Sequence, residues 1–238
     1  MLALQLPLFA APDLSLAPDW SGLRHIPLGA CSWLEHHSGW LRGHGVLFEQ
    51  LRQTLAWRAQ ERPMYERVVA VPRLLARLPQ DGPVPSILER CALQLSQRYG
   101  RPLYSLGACL YRDGRDSVAW HGDRLSRSGQ RVDSSDRVIA ILSLGEPRRF
   151  LIRPSSGGPS RAFELGWGDL LVMGGRCQED FEHCVPKVAS ALPRISVQFR
   201  PGPPELLRGL GQPSDSGQTA AQVTGATFGL IEGEGDDD

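Results

Sequence analysis

Two kinds of hydrophobic pattern divide the chain. Between residues 45 and 60, Leu47, Phe48, Leu51, Leu55 and Trp57 recur near a 3.6-residue period. Ile87, Leu88, Cys91, Leu95 and Tyr99 do the same between 84 and 99, so both stretches are read as amphipathic helices. From Pro102 to Arg200 the period shortens. Apolar or alternating runs (LYSLGACLY, RVIAILSLG, RRFLIRP, RAFELGWG, DLLVMGG, RISVQFR) are separated by turn-forming residues and read as strands. Strands at this spacing predict an α+β, mainly β chain: a double-stranded β-helix, or jelly roll, with N-terminal helices supporting one face and loops at its open mouth. Residues 1–40, rich in Pro, Gly and Ala, are expected to form an irregular arm, and 41–101 the helical support, interrupted by a Pro-containing segment. Residues 102–200 then form the jelly-roll core. Residues 201–238, rich in Gly, Pro, Ser and Thr and ending in GEGDDD, are expected to be a disordered acidic tail.

A length of 238 residues with 41% hydrophobic content suits one globular domain with tails. No long apolar run occurs, and the opening MLALQLPLFA lacks a basic start and contains Pro7, so a membrane span or signal peptide is not expected and the protein is read as a cytoplasmic monomer. Cys31, Cys91, Cys109, Cys177 and Cys184 are odd in number, scattered and free of a Cys-x-x-Cys pair, which argues against a disulfide framework or a zinc knuckle. Acids and bases balance at 26 each, but the last 38 residues hold seven acids and one base, so the body carries an excess of six positive charges. Lys187 is the only lysine. Arginine suits bidentate phosphate contacts, so this composition permits a nucleic-acid partner, and base bias in the coding sequence explains it equally well.

The candidate chemistry lies in the β block. In SVAWHGDRLS an extended backbone would point His121 and Asp123 to the same side, where an imidazole and a carboxylate could share one metal. His183 in DFEHCVPKV, 62 residues later, is the third candidate. Together they would make a 2-His-1-carboxylate facial triad, which leaves coordination positions open and suits non-haem Fe(II) oxygenases. Each residue alone reads equally well as a core or surface group. RISVQFR, as a strand, puts Arg194, Ser196, Gln198 and Arg200 on one face and Ile195, Val197 and Phe199 on the other. Inward-facing arginines would demand an anion, and an edge strand with its arginines in water is the competing reading.

In this order, Tyr111 in CLYRDG, WHGD, VIAILSLG, GDLLVMGG, EHCVPK and PRISVQFR resemble the AlkB family of Fe(II)- and 2-oxoglutarate-dependent nucleic-acid dealkylating dioxygenases, from about Tyr104 to Pro201. The resemblance implies iron held by His121, Asp123 and His183. It further implies 2-oxoglutarate held by Arg194 and Tyr111 at its distal carboxylate, with Arg200 toward its chelating end. The chain departs from the family at Cys109, where Asn is usual, and at Ser196 and Gln198, which replace Asn and Thr of the closing motif. Arg124, Leu125 and Ser126 stand where many members carry an acidic pair that touches the base.

The implied reaction couples O₂ and decarboxylation of 2-oxoglutarate to hydroxylation of an N-methyl group on a damaged base, which then leaves as formaldehyde. The base must be flipped out or lie in a single strand of DNA, or of RNA. By the same resemblance the segment Arg62–Arg73 is the lid over the base, with Tyr65 as stacking residue, Met64 beside it and Trp57 a weaker candidate; Arg67, Arg73, Arg124 and Arg127 would contact phosphates. RNA or protein is the alternative substrate, and a non-catalytic nucleic-acid-binding relative is the third reading. QLPLF (Gln5–Phe9) resembles the short peptide by which bacterial replication and repair proteins dock on the sliding clamp.

Overall fold

The computed structural model describes residues 13–64, 67–122 and 137–202, with side chains described outside 61–70. The chain opens with β1 (Ser15–Leu16), β2 (Leu23–Pro27), β3 (Ser32–His37) and β4 (Leu41–Arg42), followed by α1 (His44–Thr54). A hairpin of β5 (Arg58–Met64) and β6 (Arg67–Leu78) leads to α2 (Ser86–Tyr99). Next come β7 (Ser105–Tyr111), β8 (Val118–His121), β9 (Ile139–Gly145), β10 (Arg148–Pro154), β11 (Arg161–Leu165) and β12 (Leu170–Gly175). A short α3 (Cys177–Asp180), β13 (Phe181–Val185) and β14 (Arg194–Arg200) complete the described part. Two sheets carry the architecture: an eight-stranded sheet in the order β2-β3-β12-β9-β14-β7-β6-β5 and a four-stranded sheet in the order β11-β10-β13-β8.

Alternation along the central strands sorts side chains between two cores. On β7, β9 and β14, Leu106, Ala108, Leu110, Ala140, Leu142, Leu144, Ile195, Val197 and Phe199 pack with Leu47 and Leu51 of α1 and Ile87, Leu88, Cys91 and Leu95 of α2. Each fully buried leucine contributes about 2 kcal/mol of hydrophobic free energy. The intervening residues turn toward the smaller sheet, where Tyr111, Ile139 and Ile141 meet Phe150, Ile152, Leu165 and Val185. The result is the expected jelly roll: helices outside the large sheet, and a second core between the sheets. Strand β14 lies between β7 and β9 and is buried on both faces, so the edge-strand reading of RISVQFR does not hold.

Helix α2 follows its pattern, entering after Pro85 and ending at Gly100, whose φ of 63° suits the left-handed cap. Helix α1 stops at Thr54 rather than reaching 60. Leu55 is extended there and the Ala56 amide donates to Asp81 O, so a tertiary partner takes the chain into β5.

The N-terminal expectation requires correction. From Asp13 onward the arm is not irregular: β2 and β3 extend the large sheet, with β3 paired to β12 along its length. SWLEHH hides this because only Trp33 and Leu34 are apolar; its inward polar groups gain distant partners instead. Ser32 Oγ donates to Asp180 at 3.1 Å, and Arg24 donates to His36 Nδ1 at 3.1 Å. The Pro-interrupted segment is likewise a hairpin. Pro63 is tolerated because β5 is the outermost strand of its sheet. Of the expected acidic tail, residues from 203 on lie outside the described part.

Candidate metal and anion site

His121 ends β8 and His183 sits in β13, and the two are direct cross-strand partners. Their ring centroids are 4.3 Å apart with a 55° interplanar angle, so one nitrogen of each can reach a shared ion about 2 Å away. The Nδ1–H of His121 donates to Ala119 O at 2.9 Å, which puts the lone pair of the neutral ring on Nε2. His183 is buried and stacks on Phe150, with centroids 5.2 Å apart. Among the described residues no group of three His, Cys, Asp or Glu side chains is assembled for a metal. The predicted third ligand, Asp123, lies outside the described residues, one position beyond Gly122. The donor set present therefore fits two of the three ligands of a facial triad.

On the large sheet, β14 turns a buried cation toward the same inner core. Arg194 is 1% exposed, faces Tyr111 across the β14–β7 register, and holds its guanidinium 5.3 Å from the Tyr111 ring centroid. Its Nε donates to Leu165 O at 3.2 Å and its Nη2 to Ser143 Oγ at 2.7 Å, whereas Nη1 is buried with no partner. Burial pulls the Arg194 pKa below its ordinary value. A buried, under-bonded cation is costly, and an anionic ligand is what would offset it. Burial also pushes the Tyr111 hydroxyl up to about 12, so it stays protonated and able to donate.

Along β10 the inward positions are Arg148, Phe150 and Ile152, spaced by about 7 Å per pair of residues. Tyr111 lies beside Arg148, while His183 rests on Phe150 and pairs with Ile152 in register. Phe150 thus stands one strand repeat from Arg148 on the same face of β10 and in contact with His183.

The remaining predicted contacts distribute unevenly. Gln198 Nε2 donates to Ser196 O at 2.8 Å and to Ser196 Oγ at 2.7 Å, and lies 3.6 Å from Cys109 Sγ, so these three side chains bond largely to one another. Arg200 packs over Gly107, where a Cβ would come to 3.5 Å from its Nη1 and 3.3 Å from Gln198 Oε1. Arg73 is turned inward, with Nη1 donating to Ser117 O at 3.2 Å and Nε buried without a partner. Tyr65, Arg124 and Leu125 lie outside the described residues, as do Ser126 and Arg127. Met64 pairs with Arg67 at the hairpin tip, and the side chains of both lie outside the described set. Trp57 donates its indole N–H to Arg52 O beside α1.

Three contributors were not singled out from sequence: Ser143, Arg148 and Phe150. Ser143 had a signal, being the one polar residue inside VIAILSLG. Arg148 had none, since nothing in RRF distinguishes it from Arg149, which is exposed and faces Glu164.

A two-sheet jelly roll with a histidine pair on one sheet and a buried, under-bonded arginine on the other defines a scaffold for a metal and a bound dianion. Residues 36–201 match the family model described as the 2OG-Fe(II) oxygenase superfamily, and the chain belongs to that family, whose cofactor is Fe(II) and whose cosubstrates are 2-oxoglutarate and O₂. The AlkB resemblance extends beyond the motifs. Over 165 residues (65% of this chain and 53% of the relative) the sequence is 34% identical to alpha-ketoglutarate-dependent dioxygenase alkB homolog 3 of Bos taurus. It is 32% identical to the same-named protein of Homo sapiens over the same shares. The chain thus spans about half the length of these curated relatives. The solved structure of OsALKBH1 superposes with a TM-score of 0.54 at 13% identity, covering 75% of this chain and 100% of that one, which supports the shared fold.

Proposed function

We propose that this protein is an Fe(II)- and 2-oxoglutarate-dependent dioxygenase that removes N-alkyl lesions from nucleic-acid bases, acting in DNA repair in the cytoplasm as a monomer. The observation that carries the reading is the buried Arg194 with its unsatisfied Nη1 on the large sheet, together with the His121–His183 pair on the small one. His121, His183 and Asp123 would hold the iron. Arg194 and Tyr111 would hold the distal carboxylate of 2-oxoglutarate, with Ser196, Arg200 and Cys109 along the same strands. When bound, iron, 2-oxoglutarate and O₂ supply the oxidation of an N-methyl group, yielding succinate, CO₂, formaldehyde and the restored base.

The chain's own residues position and exclude. Arg194 and Tyr111 fix the cosubstrate by charge and hydrogen bond, and Phe150 shields His183 from water. The segment Arg62–Arg73, with Met64 and Tyr65, would be the lid over a flipped or single-stranded base, and Arg124 and Leu125 would contribute to substrate binding. Its relatives' name supports the dioxygenase class; the departure at Arg124–Ser126 leaves the base to be assigned by assay. In that assay, Fe(II) and 2-oxoglutarate are added anaerobically, then O₂ with 1-methyladenine or 3-methylcytosine oligonucleotides, and products are read by mass spectrometry. Demethylated DNA and formaldehyde are expected, and none with His121→Ala. Methylated RNA and peptides run in parallel, and release from either of these alone would reassign the substrate. QLPLF supports a second partner, the sliding clamp. A pull-down unaffected by deleting residues 1–9 removes that partner.

A further inference from the structure

Arg194 is not the only buried cation around Tyr111. Arg148 is 3% exposed, and its guanidinium lies 5.8 Å from the Tyr111 ring centroid. Three backbone carbonyls hold it: Nη1 donates to Asp113 O, and Nη2 to Asp116 O and Pro186 O, each at 2.9 Å. Its Nε is buried with no partner, as are Arg73 Nε and Arg194 Nη1. Among the described residues, none of these three arginines is ion-paired with a carboxylate. Asp113 and Asp116, whose carbonyls hold Arg148, spend their side chains on Arg115 and Arg112. Three positive charges thus bear on one phenol, and all three favour an anion at its hydroxyl.

Burial of an unpaired cation costs free energy, and neutral carbonyls repay only part of it. Arg148 cannot swing into water to escape that cost, because its bonds tie it to the 113–116 turn and to Pro186. Its charge is therefore a fixed feature of the pocket. One terminal carboxylate needs Arg194 as its direct partner; a second immobile cation adds a field that strengthens Tyr111 as a donor and penalises any ligand that arrives without that carboxylate.

We propose that Arg148 is a positioning and specificity residue for the cosubstrate, acting through the Tyr111 hydroxyl to make the pocket select dianionic 2-oxo acids over 2-oxo acids that lack a terminal carboxylate. This rests on the 2-oxoglutarate reading above.

Calorimetric titration of the Mn(II)-loaded protein without O₂ tests it. The ligands are N-oxalylglycine, an unreactive analogue of 2-oxoglutarate, and pyruvate, which lacks the second carboxylate. Arg148→Met is expected to weaken N-oxalylglycine at least tenfold while pyruvate changes less than twofold. Arg148→Gln keeps two N–H donors for the carbonyls and carries the same comparison if Arg148→Met does not fold. In a Tyr111→Phe background the same substitution should cost less than threefold, because its route through the hydroxyl is gone. Equal losses for both ligands would mean that Arg148 only props the fold, and an unchanged ratio or an undiminished effect beside Phe would equally overturn the proposal. Wild-type protein that binds neither ligand overturns the 2-oxoglutarate reading itself; binding of both with the ratio untouched in the variants overturns only the role of Arg148.

Discussion

Ser143 illustrates how one small side chain sets the chemistry of a larger one. It is fully buried in the middle of β9 and accepts from Arg194 Nη2, which fixes the guanidinium plane together with Leu165 O. Hydrogen bonds to charged groups contribute roughly 1.5–3 kcal/mol. Ser143→Ala is therefore expected to raise KM for 2-oxoglutarate about tenfold or more, with kcat within about twofold, in steady-state assays. An unchanged KM would mean that Leu165 O and the ligand suffice to orient Arg194. The sequence showed Arg194 as one of two same-face arginines and Ser143 as a polar break in an apolar run; that the break receives the arginine required knowing that β9 lies beside β14.

Among the elements, β8 has the hardest task, because four residues at the margin of the small sheet must present His121. Its pairing with β13 consists of His121 with His183 and Val118 with Val185, interrupted by an irregularity. A clamp on the opposite face compensates. Arg153 on β10 donates through Nε to Glu182 of β13 at 2.6 Å, and its guanidinium lies 4.0 Å above the ring of Trp120 on β8. One side chain thus spans three strands. Cation–π stacking and a partly exposed ion pair together contribute about 1–2 kcal/mol. Arg153→Gln is expected to lower metal affinity about tenfold, measured by Mn(II) titration, with circular dichroism unchanged. Retained affinity would assign the placement of His121 to backbone pairing alone. None of this clamp was legible beforehand, since Trp120, Arg153 and Glu182 share no local pattern.

At the scale of the whole molecule, Asp169 joins the N-terminal strands to the jelly roll. Its carboxylate accepts from the Gly39 amide at 2.8 Å and the Gly166 amide at 3.3 Å, with His36 at 3.9 Å. Gly168 makes the approach possible, because its φ is 88° and a Cβ there would run into Leu41 O. Burial opposes ionisation of Asp169, but His36 and the two amides outweigh it and hold the carboxyl below its ordinary value. A depressed folded pKa gives stability that is complete above the unfolded value near pH 3.9 and is lost as pH falls through the folded one. Asp169→Asn is thus expected to lower Tm by about 4 °C at pH 7, with the difference from wild type closing below about pH 4 in thermal melts. A gap independent of pH would assign the effect to packing. By itself the sequence determined the mainly β class, both helices and six of the eight described strands after Pro102, and it supplied the candidates for metal and anion binding, because periodicity and side-chain chemistry are local. Tertiary structure alone decided that SWLEHH is a sheet strand, that β14 is central, and that Ser143, Arg148 and Phe150 lie against Arg194, Tyr111 and His183. Those facts depend on partners distant along the chain, which bury polar groups at positions where no hydrophobic pattern marks them.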